Sequence, residues 1–175
     1  AMSAGTMIAL SSKEIIMGKQ SNLGPIDPQF GGMSCAGIIE EFNEACSDVK
    51  ANPEMARVWG PIISKYHPTF IGDCKKAMTW ADTIVNKWLT ENMFSAYTDA
   101  EARARKVVDA LSSHNATYSH SRHIHIDELN NLGLKIVPLE RLDDRQIDDC
   151  KDLQDCVLTI HHSFMQTLSS TNALK

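Results

Sequence analysis

A serine hydroxyl attacks a carbonyl only when a sharp turn presents it, a base accepts its proton and donors await the oxygen that becomes negative. Ser3 satisfies the first condition on paper: Ala4 and Gly5 follow it, small enough for a tight turn and for close approach of a substrate backbone. The apolar run that continues to Leu10 reads as a buried helix, so the hydroxyl stands at a helix start. A serine there is equally an ordinary N-cap, and spacing alone leaves both readings open. The densest set of ligating side chains is His120, His123, His125 and Asp127. His-x-His on a strand puts both imidazoles on one face, as Zn²⁺ or Ni²⁺ would need. No spacing supplies a fourth ligand, and a loop before a helix capped by Asp127 accounts for the same residues, so no metal is expected. His161-His162 reads as one buried and one exposed side chain in mid-helix.

The elements that must position these groups follow from periodicity. Glu14 to Gly18 is a short apolar run that suits a buried parallel strand. Leu23-Gly24-Pro25-Ile26-Asp27-Pro28-Gln29 must be a shaped loop or irregular edge strand, because two prolines and a glycine interrupt it. Ile38, Ile39, Phe42, Cys46 and Val49 recur at helical spacing, and Pro53 opens a second helix carrying Met55, Val58, Trp59 and Ile62. A long helix is predicted over 69–93, with Phe70, Cys74, Ala77, Ala81, Ile84, Trp88 and Leu89 on one stripe. Thr98 and Glu101 form a capping-box signature before a helix that buries Val107, Val108 and Leu111. Asp127 to Leu134 is a short helix stopped by Gly133, and Lys135 to Leu139 a strand. The last helix, over 144–168, carries Ile147, Cys150, Leu153, Val157, His161, Phe164 and Leu168 at three-to-four spacing. The methionines Met7, Met17, Met55, Met78, Met93 and Met165 read as core.

Composition narrows the class. The chain has 175 residues, 43% hydrophobic and 22% charged, with a formal net charge of −5. That size builds one core burying about 70% of the unfolded surface, and the chain is read as a single domain over 1–175. No Lys/Arg stripe is present of the kind a phosphate backbone requires, so nucleic acid is not an expected partner. No run reaches the roughly 20 apolar residues of a membrane span. The five cysteines (Cys35, Cys46, Cys74, Cys150, Cys156) fit neither a disulfide framework nor a paired metal motif. Most fall on apolar helical positions, which favours a reducing, cytoplasmic setting.

Taken together, Ala-Met-Ser-Ala-Gly-Thr-Met-Ile-Ala-Leu, the strand Lys-Glu-Ile-Ile-Met-Gly and Ser-Asn-Leu-Gly-Pro-Ile-Asp-Pro-Gln resemble the serine dehydrogenase proteinase family, a branch of the signal peptide peptidase A and Clp-protease superfamily. Lys65-Tyr66-His67-Pro68-Thr69-Phe70 and Lys87-Trp88-Leu89 look like its long-helix region. Tyr118-Ser119-His120 with Leu132-Gly133-Leu134-Lys135 looks like its closing segment. The resemblance implies an α/β fold of the Clp-protease/crotonase kind, stacked ββα units with a helix-rich C-terminal part, assembled into homo-oligomers. It implies a serine peptidase acting on a peptide or protein substrate without a cofactor, with Ser3 as nucleophile.

For the base the resemblance leaves alternatives. The Clp-protease branch places a His one strand and a loop after the nucleophile, where this chain has Ile26-Asp27, so Asp27 is assigned to orienting a base or polar network. The signal peptide peptidase A branch uses a Lys before a long helix, and Lys65 stands in the comparable place; burial would have to lower its pKa. His67 is a third candidate, by its favourable intrinsic pKa. Ala4, Gly5 and Gly24 are the expected substrate-binding and oxyanion positions. Relatives supply an oxyanion turn from a strand ahead of the nucleophile, where only two residues precede Ser3 here. On that reading the N-terminal strands are missing and the chain by itself has little activity. The other class of function open to it is a non-catalytic oligomeric scaffold or binding module of the same fold.

Overall fold

Apolar side chains at three-to-four spacing make α4 (Phe70–Glu91), the longest helix among the described residues, an axle for the rest. Its buried stripe is Cys74, Ala81, Val85 and Leu89. Val85 replaces the predicted Trp88, which is half-buried, because the inward face is set by the neighbour it packs on. That neighbour is α5 (Ala100–Ser112), which inserts Ala104, Val107, Val108 and Leu111. The helix begins at Ala100, after Asp99, whose carboxylate accepts from Arg103 Nε at 2.8 Å.

The computed structural model describes residues 1–112, 122–142 and 153–171. The proposed closing segment Tyr118-Ser119-His120, and with it Ile147 and Cys150, lie outside the described residues.

Around this pair the chain is a helix-rich α/β arrangement with two small sheets among the described residues. Helix α1 (Ala4–Leu10) leads to β1 (Ile15–Met17), which pairs in parallel with β4 (Ile136–Pro138), Ile15 opposite Ile136. The predicted strand is thus present and parallel, although Ile16 is 53% exposed and only Ile15 and Met17 face the core. A hairpin of β2 (Gln29–Phe30) and β3 (Met33–Ser34) turns on Gly31 and Gly32, at φ 57° and 80°. Two successive positive values are what a two-residue hairpin turn demands and what glycine adopts without strain.

Helix α2 (Cys35–Ala51) follows directly, then a 3₁₀ turn (Pro53–Met55) and α3 (Ala56–Ile63). The predicted second helix is therefore split at Ala56, and none of its side chains is fully buried. A short α6 (Ile126–Asn131) is stopped by Gly133 at φ 90°, as expected; His125 holds the cap position and Asp127 lies in the first turn.

The main core joins Leu10, Ile15, Met17, Leu23 and Ile26 to the facing stripes of α4 and α5. A second cluster holds Cys35, Ile38 and Cys74, with Phe70 against it. Helix α7 (Leu153–Ser170) departs from expectation: beyond Leu153, which packs on Val137, Leu139 and Leu142, its apolar stripe is exposed, Val157 at 42% and Phe164 at 64%. His161 and His162 are both exposed, with ring centroids 6.0 Å apart, and Met165 is exposed rather than core. Periodicity marks which face of a helix is apolar, not whether the chain supplies a cover for it.

Candidate functional site

Small residues flank Ser3 for a steric reason that the structure makes explicit. Ser3 sits at φ 46°, ψ −115°, the single non-glycine residue with positive φ among the described residues. Such a conformation costs on the order of 1–3 kcal/mol and persists only where the surroundings enforce it. The chain doubles back so tightly that a Cβ on Gly5 would lie 3.2 Å from the Cβ of Ala1, and Gly5 N–H donates to Met2 O at 2.8 Å. The capping alternative is not realised: the Ser3 side chain makes no cap hydrogen bond, and the residue is half-buried.

What enforces the turn is the segment 22–28, buried from Leu23 to Asp27. The Ala1 amino group donates to Asn22 O at 2.7 Å, and Gly24 N–H donates to Ala1 O at 2.7 Å, the two-bond pattern by which parallel strands pair. On its other side Leu23 exchanges both backbone bonds with Ile124, at 3.0 and 2.8 Å. Ile26 N–H donates to Leu111 O and Cys35 N–H to Pro28 O, each at 2.9 Å.

Thr6, fully buried, closes the arrangement: its hydroxyl donates to Ala1 O and accepts from Gly24 N–H, both at 3.2 Å. Gly24 packs closely on Met2: a Cβ there would stand 2.5 Å from Met2 Sδ, and the Met2 side chain would have to move to admit it. Neither Thr6 nor its bridging role was singled out in the sequence. The available signal was a polar residue one turn after Ser3 within an otherwise small apolar run.

Asp27 ends the buried part of this segment at 8% exposure. Ser34 Oγ donates to Asp27 Oδ1 at 3.0 Å and accepts from Gly37 N–H at 3.1 Å, so one hydroxyl both caps α2 and holds the carboxylate. Beside them Cys35 and Cys74 are fully buried. Burial first, and then its hydrogen bond to Cys74, push the Cys35 thiol up to about 12. Cys35 is therefore uncharged near neutral pH and offers no competing nucleophile.

Lys65 and His67 occupy the turn between α3 and α4, both exposed. Lys65 N–H donates to Ile62 O and His67 O accepts from Phe70 N–H. The half-buried member of this turn is Tyr66, whose hydroxyl donates to the Glu41 carboxylate and whose ring stacks on Phe70 with centroids 5.6 Å apart. That bond to Glu41, above all, raises the Tyr66 pKa. Among the described residues no hydrogen bond joins Ser3 to Lys65, His67 or Asp27. Of the three expected oxyanion positions, Gly5 and Gly24 have N–H groups already engaged, whereas Ala4 N–H opens α1, where no acceptor exists within the helix.

His123 and His125 are exposed, His120 lies outside the described residues, and no group of three ligating side chains converges among the described residues. No helix among them is long and apolar enough to cross a membrane.

Two surface grooves accompany this frame. One, about 900 Å³, runs between α4 and α5 past Asp82, Asn86, Glu101 and Arg105. The other, about 860 Å³, starts at Ala1 and follows Gly18 to Asn22, Leu139 and Glu140, with Val157, Leu158 and His161 opposite. Ser3 and Asp27 line neither. The second lies at the carboxyl ends of β1 and β4, the side on which open parallel sheets hold ligands.

A family model described as ClpP-like SDH-type serine proteinase matches residues 1–140. Two uncharacterized proteins of Methanocaldococcus jannaschii are similar to the chain over 136 residues each, 78% of its length, at 26% and 27% identity. These matches cover 39% and 40% of the two relatives, so the chain spans about two-fifths of the length of the curated relatives it matches. No solved structure matches it. The strained serine turn, with the segment that grips it, lies wholly within the matched residues, and the chain belongs to the ClpP-like SDH-type serine proteinase family.

Proposed function

We propose that the chain carries the nucleophile of a serine peptidase, with Ser3 Oγ attacking a peptide carbonyl carbon. The observation that carries this reading is the positive φ of Ser3, held by backbone bonds around a hydroxyl that caps nothing. A base takes the Ser3 proton as the bond to carbon forms, and passes it to the departing amine as the peptide C–N bond breaks; water then releases the acyl group. Ala4 N–H is the donor nearest in sequence to the developing oxyanion. Asp27, buried and tied to Ser34, is suited to orienting a base; Lys65 and His67 are the candidates for the base itself. Such a group has to reach about 2.6–3.2 Å from Ser3 Oγ, directly or through one water. The groove that starts at Ala1 is the proposed approach for the peptide.

The same reading takes the chain as one Clp-protease/crotonase-type domain of a cytoplasmic homo-oligomer, in keeping with the buried thiols Cys35 and Cys74. A fluorophosphonate probe on the full-length protein tests it: covalent labelling is expected, and is lost in Ser3→Ala. Absence of labelling in the intact oligomer rejects it. One observation favours a non-catalytic module instead, namely that no described lysine or histidine is hydrogen-bonded to Ser3.

A further inference from the structure

A threonine inside a helix commonly turns its hydroxyl back onto the carbonyl three or four residues earlier, which a helical rotamer brings within reach. Thr79, Thr83 and Thr90 of α4 do so, donating to Lys75 O, Thr79 O and Asn86 O at 2.7–2.9 Å. Thr6 of α1 does not. Its hydroxyl reaches five residues back, past Ser3, to Ala1 O, and takes Gly24 N–H as a second partner. Thr6 is 0% exposed, and Asp27 is the other buried polar side chain among the described residues. A valine would fill nearly the same volume with no polar group to satisfy, so what the hydroxyl adds in this place is its two bonds.

Those bonds bear on Ser3 through the path of the chain. Gly5 N–H to Met2 O closes an inner turn around Ser3 and Ala4, and Thr6 Oγ1 to Ala1 O closes an outer one around it. The inner turn alone does not dictate the strain, because a four-residue turn closes equally well with negative φ at its first central residue. The outer closure removes that freedom. Gly24 N–H is shared between Ala1 O at 2.7 Å and Thr6 Oγ1 at 3.2 Å, so both ends of the outer turn are pinned to the segment 22–28. The backbone between them has to reverse, and Ser3 takes up the reversal at φ 46°. We propose that Thr6 is a positioning residue for the attack: its hydroxyl holds Ser3 in the strained conformation and so aims Oγ, without itself touching the substrate. The inference rests on the reading of Ser3 as nucleophile.

Fluorophosphonate kinetics and amide hydrogen exchange on the full-length protein, both well below its melting temperature, test it. Thr6→Val is expected to fold, since Gly24 N–H keeps its bond to Ala1 O. Its maximal labelling rate is expected to fall about a hundredfold at unchanged half-saturation, the effect of displacing a reacting atom by about 1 Å. The Gly5 and Gly24 amides are expected to exchange faster in the same variant. Thr6→Ser, which keeps the hydroxyl, is expected to match the wild type in both measurements. A structural role alone would lower the melting temperature of Thr6→Val and leave the labelling rate of the folded protein unchanged, and that result overturns the proposal. So does a Thr6→Ser that labels as slowly as Thr6→Val. Should the added methyl crowd Ala1 O and prevent folding, Thr6→Ala, which leaves that space empty, carries the same expectations. A wild type that does not label rejects the peptidase reading instead. Exchange then decides for Thr6: unchanged protection of Gly5 and Gly24 in Thr6→Val overturns its hold on the turn, and faster exchange upholds it.

Discussion

Two polar turns invite chemistry in this molecule, and the structure treats them oppositely. The turn at Ser3 is gripped by backbone bonds from Asn22 and Gly24 and by the buried hydroxyl of Thr6, and its serine is strained. The turn at Lys65 to His67 carries its two basic side chains in the open, while the Tyr66 side chain rests on Glu41 and Phe70. Strain survives only where the surroundings over-determine it, so the first turn holds a conformation that a loop left to itself would abandon. An exposed lysine or histidine stores nothing comparable. The difference teaches where to look for a function that costs stability.

Substitutions can break or sharpen that contrast. The largest effect on stability is expected at Asp27. Asp27→Ala removes the charged acceptor of the half-buried Ser34 hydroxyl, a loss of about 1.5–3 kcal/mol in urea unfolding. An unchanged midpoint would mean that the carboxylate contributes nothing to the frame.

Next comes Ser3→Gly. Glycine adopts the positive φ freely, so relief of strain less the backbone-entropy cost of glycine gives a net gain of about 1 kcal/mol, while fluorophosphonate labelling disappears. A destabilised Ser3→Gly would show that the turn is relaxed and the contrast false. The smallest effects belong to the other turn: Lys65→Ala and His67→Ala are expected to change stability by no more than about 0.5 kcal/mol. Their labelling rates sharpen the comparison further, because a hundred-fold loss in either would bring that turn to Ser3 as the source of the base.

Much of the scaffold was legible from residue order. The stripe of α4, the valines and Leu111 of α5, the strand at Ile15 and the stop at Gly133 follow from local periodicity and backbone freedom, which neighbours in sequence determine. The Ser-Ala-Gly run likewise identified the turn. Its role as cap or nucleophile stayed open, because φ at Ser3 depends on bonds from residues some twenty positions away.

The pairing of Asp27 with Ser34, the bridge made by Thr6 and the close approach of Met2 to Gly24 are contacts between separate segments. No spacing rule encodes them. The apolar face of α7 shows the same division. Its residues were predictable from a 3.6-residue repeat, but burial is a property of two surfaces, and only the folded chain revealed that this one faces outward. Local order thus determined the elements and their apolar faces, whereas long-range packing decided which turn holds strain and which face stays uncovered.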